Sequence, residues 1–196
     1  MKKKEIDVVF LLDKSGSMCD CVKDTIGGYN SYIKNLVEEK TNALITTVLF
    51  NNEYELLHDR IPINKIQKIT NKEYFVSGST ALLDAIGTTI SNIEKKSTEK
   101  VLFIITTDGL ENASSKYSKE QIKEMILAHK NWEFIYIGAN IDSFSESSAI
   151  GISKENTCNY KTDSNGIKCM FKAVECATNS FYKNDNLTED WSHELK

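Results

Sequence analysis

Residues 8–18, VVFLLDKSGSM, hold five apolar residues that run into a D-x-S-x-S sequence formed by Asp13, Ser15 and Ser17. A short apolar run closed by a polar, glycine-bearing loop reads as a buried strand entering a turn. Two later stretches complete the pattern. SGSTALLDAI, residues 77–86, sets Thr80 ahead of a helical repeat, and VLFIITTDG, residues 101–109, sets Asp108 at the end of a second buried strand.

Outward from these stretches, apolar runs at 6–12, 44–50, 101–106 and 134–138 alternate with segments of helical period, which is an α/β rhythm. The first helical segment carries Val22, Ile26, Tyr29, Ile33, Leu36 and Val37 on one face and contains Gly27 and Gly28. Each glycine costs about 1 kcal/mol against alanine inside a helix, so both are expected to mark close packing against a neighbour. Only Asn51 and Asn52 separate the second run from EYELLHDRIPI, so that segment is expected to turn back as an antiparallel edge strand ending near Pro62, the only proline. Leu82, Ile86, Ile90 and Ile93 mark a second helix, Ser118 with Gln121 forms a capping box before a third, and Ile167, Met170, Phe171, Val174, Ala177 and Phe181 mark the last.

The chain has 196 residues, 40% of them hydrophobic and 27% charged, enough for one sizeable core. One domain is expected over residues 1–183, with 184–196 as a polar tail whose large apolar anchor is Trp191. A net charge of −4 and a single arginine, Arg60, argue against a nucleic-acid partner. No stretch approaches the roughly 20 apolar residues of a membrane helix, and Asp7 and Asp13 break the amino-terminal run as an export signal, so a cytoplasmic setting without membrane contact is expected. The oligomeric state is left open.

Cys19, Cys21, Cys158, Cys169 and Cys176 form no C-x-x-C pair and read as packed side chains rather than disulfides or a zinc site. Cys19 and Cys21 lie near a helix start, where a lowered thiol pKa is the alternative. His129 falls on the apolar face of its helix and reads as packed rather than ligating. Nucleophilic catalysis lacks a credible base.

If the strands ending at Asp13 and Asp108 are neighbours, two carboxylates and the hydroxyls of Ser15 and Ser17 meet in one crevice at the carboxyl edge of the sheet, where α/β proteins bind ligands. Two carboxylates about 4 Å apart repel by roughly 4 kcal/mol at an effective dielectric of 20, and a divalent cation reverses that term. Oxygen donors without cysteine or histidine select a hard ion, magnesium foremost, with manganese or calcium as alternatives.

The DKSGS loop, Thr80 in GSTALLDAI and Asp108 in TTDG together resemble the complete metal-ion-dependent adhesion site (MIDAS) of the von Willebrand factor type A family. The likeness extends from about residue 5 to 180, and small stand-alone bacterial or phage members, including those associated with tellurite resistance, are the most similar. The resemblance implies a doubly wound, mostly parallel six-stranded sheet with one antiparallel edge strand and helices on both faces. It implies magnesium held by Asp13, Ser15, Ser17, Thr80 and Asp108, and a partner protein that offers a glutamate or aspartate to the ion. The activity implied is binding, as an adaptor or regulatory module, and not turnover.

Around that set, Asp84 lies one helical turn after Thr80 and could orient the site or serve as a capping acid. Glu111, Asn112 and Ser114 after Asp108, and Asn140 and Asp142 after the next strand, would line the rim, although loop polarity alone also accounts for them. A magnesium-dependent phosphohydrolase or phosphotransfer domain is the alternative, since it too sets an aspartate at a strand end. Ser15 stands where its acidic D-x-D would need a second aspartate, and no G-x-x-x-x-G-K-[ST] cradle occurs.

Overall fold

A strand with neighbours on both edges and helices on both faces needs no polar alternation, and β1 (Ile6–Asp13) is buried at every position. A computed structural model describes residues 5–96 and 100–195. It contains β2 (Ala43–Phe50), β3 (Tyr54–Pro62), β4 (Val101–Thr107), β5 (Trp132–Gly138) and β6 (Thr157–Asn159) in one sheet, ordered β3-β2-β1-β4-β5-β6. All neighbouring pairs are parallel except β2 with β3, whose tight connection makes β3 the antiparallel edge that Asn51-Asn52 predicted.

Among the described residues five α-helices cover the sheet: α1 (Val22–Glu38), α2 (Leu82–Glu94), α3 (Lys119–Ala128), α4 (Ser143–Ala149) and α5 (Ser164–Asn184). Alternate residues of β1 feed two cores. Val8, Phe10 and Leu12 pack with Tyr29, Tyr32 and Leu36 of α1 and Phe171 and Val174 of α5. Val9 and Leu11 pack with Ile86 and Ile90 of α2 and Ile122 of α3. Each such side chain contributes about 2 kcal/mol of burial. Phe10 sits at the centre of the first core, edge-on to Tyr29 and stacked on Phe171, with ring centroids 5.9 Å away in both cases.

The two glycines of α1 behave differently. A Cβ on Gly28 would stand 2.1 Å from the Phe171 ring, so that glycine lets α5 approach, as expected. A Cβ on Gly27 would meet nothing within 4 Å, and the expectation of close packing fails there. The predicted capping box forms in full: Ser118 Oγ accepts from Gln121 N, and Gln121 Oε1 accepts from Ser118 N. His129 packs against Trp132, its Nδ1 2.7 Å from the Met125 carbonyl oxygen.

The Asp7 that interrupts the first apolar run is answered from the edge strand. Between the pairs Ile45–Ile61 and Thr47–His58 the register slips by one residue, and Arg60 takes up φ +50° in that bulge. Its guanidinium reaches across to β1, with Nε 2.7 Å from Asp7 Oδ1 and Nη2 3.2 Å from Oδ2. The only arginine of the chain therefore neutralises the buried carboxylate at the start of β1.

Of the polar tail expected over 184–196, Asn184 still belongs to α5, residues 185–195 fold back on the domain, and residue 196 lies outside the described residues. Asp185 ends α5 in the left-handed region and pairs with Lys100 at 2.6 Å. Trp191 is only 2% exposed and donates from Nε1 to the Glu155 carbonyl at 3.0 Å. No helix among the described residues is long and apolar enough to cross a membrane.

Candidate metal centre

From β1 the chain builds outward to β2 and β3, then crosses back to β4 and continues the other way, so the strand order reverses between β1 and β4. Loops leaving two parallel neighbours at such a point diverge and open a crevice at the carboxyl edge of the sheet. Asp13 ends β1, which runs beside β4 with Leu12 opposite Thr106, and Asp108 follows β4 directly.

Asp13 is 1% exposed. Its Oδ1 accepts from the Ser15 backbone N–H at 2.7 Å, and its Oδ2 accepts from the Thr107 hydroxyl at 2.6 Å. Burial nevertheless pushes its pKa up from the ordinary 3.8 to about 6, against those hydrogen bonds and with help from the nearby Asp108 charge. Burial raises Asp108 in the same direction, opposed by the Ser17 hydroxyl. Among the described residues no lysine, arginine or histidine is ion-paired with either acid. Lys14, inside the loop itself, turns away to Glu55 at 2.5 Å.

The hydroxyls lie between the two carboxylates. Ser15 Oγ is 3.1 Å from Ser17 Oγ, and Ser17 Oγ donates to Asp108 Oδ1 at 2.5 Å. A hydroxyl that serves a cation through its oxygen must send its proton elsewhere, and the Ser17 proton already goes to Asp108. Thr80 is buried, and its hydroxyl makes no hydrogen bond among the described residues. It lies 3.3 Å from where a Cβ on Gly109 would stand, and Ser17 Oγ lies 3.7 Å from the same point. Gly109 thus keeps the crevice open where the three segments meet.

Two carboxylates, three hydroxyl oxygens and no nitrogen or sulfur donor suit a hard divalent cation. Among the described residues no group of three or more histidine, cysteine, aspartate or glutamate side chains could hold a metal ion, so the candidate centre depends on its hydroxyls. Cys21 is buried with Sγ directed at the Thr162 carbonyl, and burial raises its pKa, the opposite of the lowering that an activated thiol there requires. Cys19 is exposed, while Cys169 and Cys176 are half-buried.

The residues expected at the rim mostly build the loops that carry the site. Asn112 is joined to Thr80 twice: its Oδ1 accepts from Thr80 N at 2.9 Å, and its own N–H donates to the Thr80 carbonyl at 3.0 Å. Glu111 accepts from the amides of Leu83, Ala113 and Ser114 and from the Ser114 hydroxyl, tying the loop after β4 to the start of α2. Asp84 accepts from the amides of Ser115, Lys116 and Tyr117, so its carboxylate tethers that loop and leaves the orienting role to Asn112. Asp142 caps α4 through Ser145 N. Asn140, at φ +57°, donates to Thr162 Oγ1 at 3.3 Å.

Three supports escaped the sequence reading. The Tyr74 hydroxyl donates to the Asp13 carbonyl at 2.5 Å, fixing the turn from below. Asn51 donates to the Ser77 carbonyl and accepts from Glu53 N, joining the β2–β3 turn to the loop that delivers Thr80. Thr107 holds Asp13 as described, and its place beside Asp108 in TTDG was the one available signal.

Known structures share the fold, and two of them were solved with metal, one with zinc in its MIDAS motif and one loaded with manganese. The chain is similar to proximal thread matrix protein 1 from the mussel byssus with a zinc-occupied MIDAS motif (16% identity, TM-score 0.60, covering 88% of this chain and 45% of that one). It is also similar to the PilB minor pilin of Streptococcus sanguinis (13%, TM-score 0.69, 88% and 61%) and to manganese-loaded TRAP protein of Plasmodium vivax (18%, TM-score 0.57, 82% and 70%). At these identities the likeness is one of fold, and the chain spans less than two thirds of the mussel protein and of the pilin. No curated protein sequence matches the chain. The family description that matches it, over residues 7–172, is the von Willebrand factor type A domain, and with the strand order and crevice above this chain belongs to that family.

Proposed function

We propose that the chain is a protein-binding module, an adaptor or regulatory unit, that captures an acidic side chain of a partner protein through a divalent cation held by Asp13, Ser15, Ser17, Thr80 and Asp108. The observation that carries this reading is the convergence of these five side chains, from three distant segments, on a crevice to which no cationic side chain is paired among the described residues. The zinc- and manganese-loaded neighbours support a divalent ion, and the all-oxygen donor set favours magnesium. When bound, the ion supplies a positive charge able to attract a carboxylate from outside.

The residues divide the work. Asp13 and Asp108 offer charge, while the uncharged Ser15, Ser17 and Thr80 add donors without cancelling more of the ion's charge. Asn112, Tyr74 and Thr107 hold them in place. The small stand-alone type and a cytoplasmic setting belong to the same reading, and binding rather than turnover is its activity.

Magnesium titration by calorimetry, with Asp13→Ala and Asp108→Ala as controls, and capture from native extract with magnesium and then with chelator test the proposal together. Saturable binding lost in both variants, with capture lost in chelator, is expected. Capture indifferent to chelator and to both substitutions would reject it.

A further inference from the structure

Large apolar side chains seldom stay exposed on rigid loops without a use when they gather around a polar site. Phe75 is 69% exposed and Leu110 is 55% exposed, more than any other large apolar side chain among the described residues except Leu127. Both belong to loops bonded to the segments that carry the candidate centre. Phe75 follows Tyr74, whose hydroxyl is bonded to the Asp13 carbonyl, and precedes Ser77, whose amide donates to the Lys14 carbonyl at 2.9 Å. One residue further, the Gly78 carbonyl accepts from Gly16 N at 3.1 Å. Leu110 stands between Gly109, which borders Thr80 and Ser17, and Asn112, which is bonded to Thr80 through both side chain and backbone.

The two residues belong to different loops, one bonded through Ser77 and Gly78 to the turn after β1 and the other leaving β4. Their backbones are pinned on both sides, so little ordering entropy is lost when something packs against them.

We propose that Phe75 and Leu110 form an apolar rim that selects the partner: a protein segment in which the captured glutamate or aspartate is flanked by large apolar residues. This rests on the cation reading above, since the ion takes the carboxylate while the rim reads its neighbours. Bound charge confers orientation, and the desolvated apolar flank supplies the affinity that an exposed ion pair does not.

The test uses the full chain in saturating manganese and four fluorescent heptapeptides, Gly-Ser-X-Glu-X-Ser-Gly with X as alanine, lysine or leucine, plus the leucine peptide with glutamine in place of glutamate. Fluorescence anisotropy should give at least a tenfold preference for the leucine over the alanine flank. Phe75→Ser and Leu110→Ser should each reduce that preference about fivefold, with manganese affinity, read by electron paramagnetic resonance, unchanged. In metal-loaded diamagnetic protein with magnesium, the Phe75 ring and Leu110 methyl resonances should shift on adding the leucine peptide. Metal- and glutamate-dependent binding that ignores the flanks, or a leucine preference intact in both variants, overturns the rim alone. Binding that ignores chelator and the glutamine exchange overturns the cation reading and the rim with it.

Discussion

Two aspartates lie on β1, six residues apart, both buried and both in a strand otherwise apolar from end to end. Asp7, at the start, receives the only guanidinium of the chain, delivered by a bulge in the edge strand. Asp13, at the end, receives two hydrogen bonds on its side chain and, among the described residues, no ion pair, and its pKa rises to about 6. The same burial is compensated by an ion pair at one end of the strand and by hydrogen bonds alone at the other, where the proposed cation would act. On the proposed function, the difference separates a residue that serves the fold from one that serves a ligand.

Breaking the complete pair should have the largest effect. Arg60→Met leaves the Asp7 carboxylate buried beside an apolar chain, and removing one partner of a buried pair costs about 3–5 kcal/mol. Urea unfolding should show a loss near the lower figure, since Arg60 is partly exposed, and added magnesium should not change the difference from the unsubstituted chain.

The incomplete site should behave in the opposite way. Because the folded state holds the Asp13 proton up to about pH 6 and the unfolded state only to about 3.8, that proton stabilises the metal-free fold fully below pH 4. The contribution is lost as pH rises through 6 and amounts to about 3 kcal/mol between pH 4 and 7. Asp108, raised in the same direction, adds to this slope. Asp13→Asn should flatten the dependence measured by urea unfolding in chelator. Magnesium at a hundred times its dissociation constant should return about 2.7 kcal/mol at pH 7 to the unsubstituted chain and none to the variant.

The smallest effect isolates one supporting bond. Thr107→Val removes the hydroxyl that donates to Asp13 Oδ2 with little change of shape. It should cost about 1 kcal/mol at pH 7 and move the Asp13 midpoint upward, as a carboxyl carbon titration by NMR would report. A midpoint unchanged from that of the parent would show that burial alone sets the value.

The long regular elements were legible because periodicity is a local property of sequence. The four apolar runs became β1, β2, β4 and β5, and the Asn51-Asn52 turn correctly reversed β3. The strand Thr157–Asn159 and the helix Ser143–Ala149 were not, since three residues carry no period and SFSESSA has no apolar face to read. The centre was legible as residue types in order. Its supports were not, because Tyr74 and Asn51 act through bonds spanning 61 and 26 positions, which leave no pattern in the chain, and Asn112, named only for the rim, is bonded to Thr80 across 32.

Sequence alone determined which of the long segments would be strands and helices, and that five oxygen-bearing side chains stand in an order that resembles the MIDAS motif of the family. Only the tertiary structure decided that they meet, that Arg60 is spent on Asp7 and Lys14 on Glu55, and that Asp84 ties down a loop. Local order reflects the preferences of neighbouring residues, whereas the partner of a buried charge is chosen by the strand order and by a bulge that appears only once the sheet has formed.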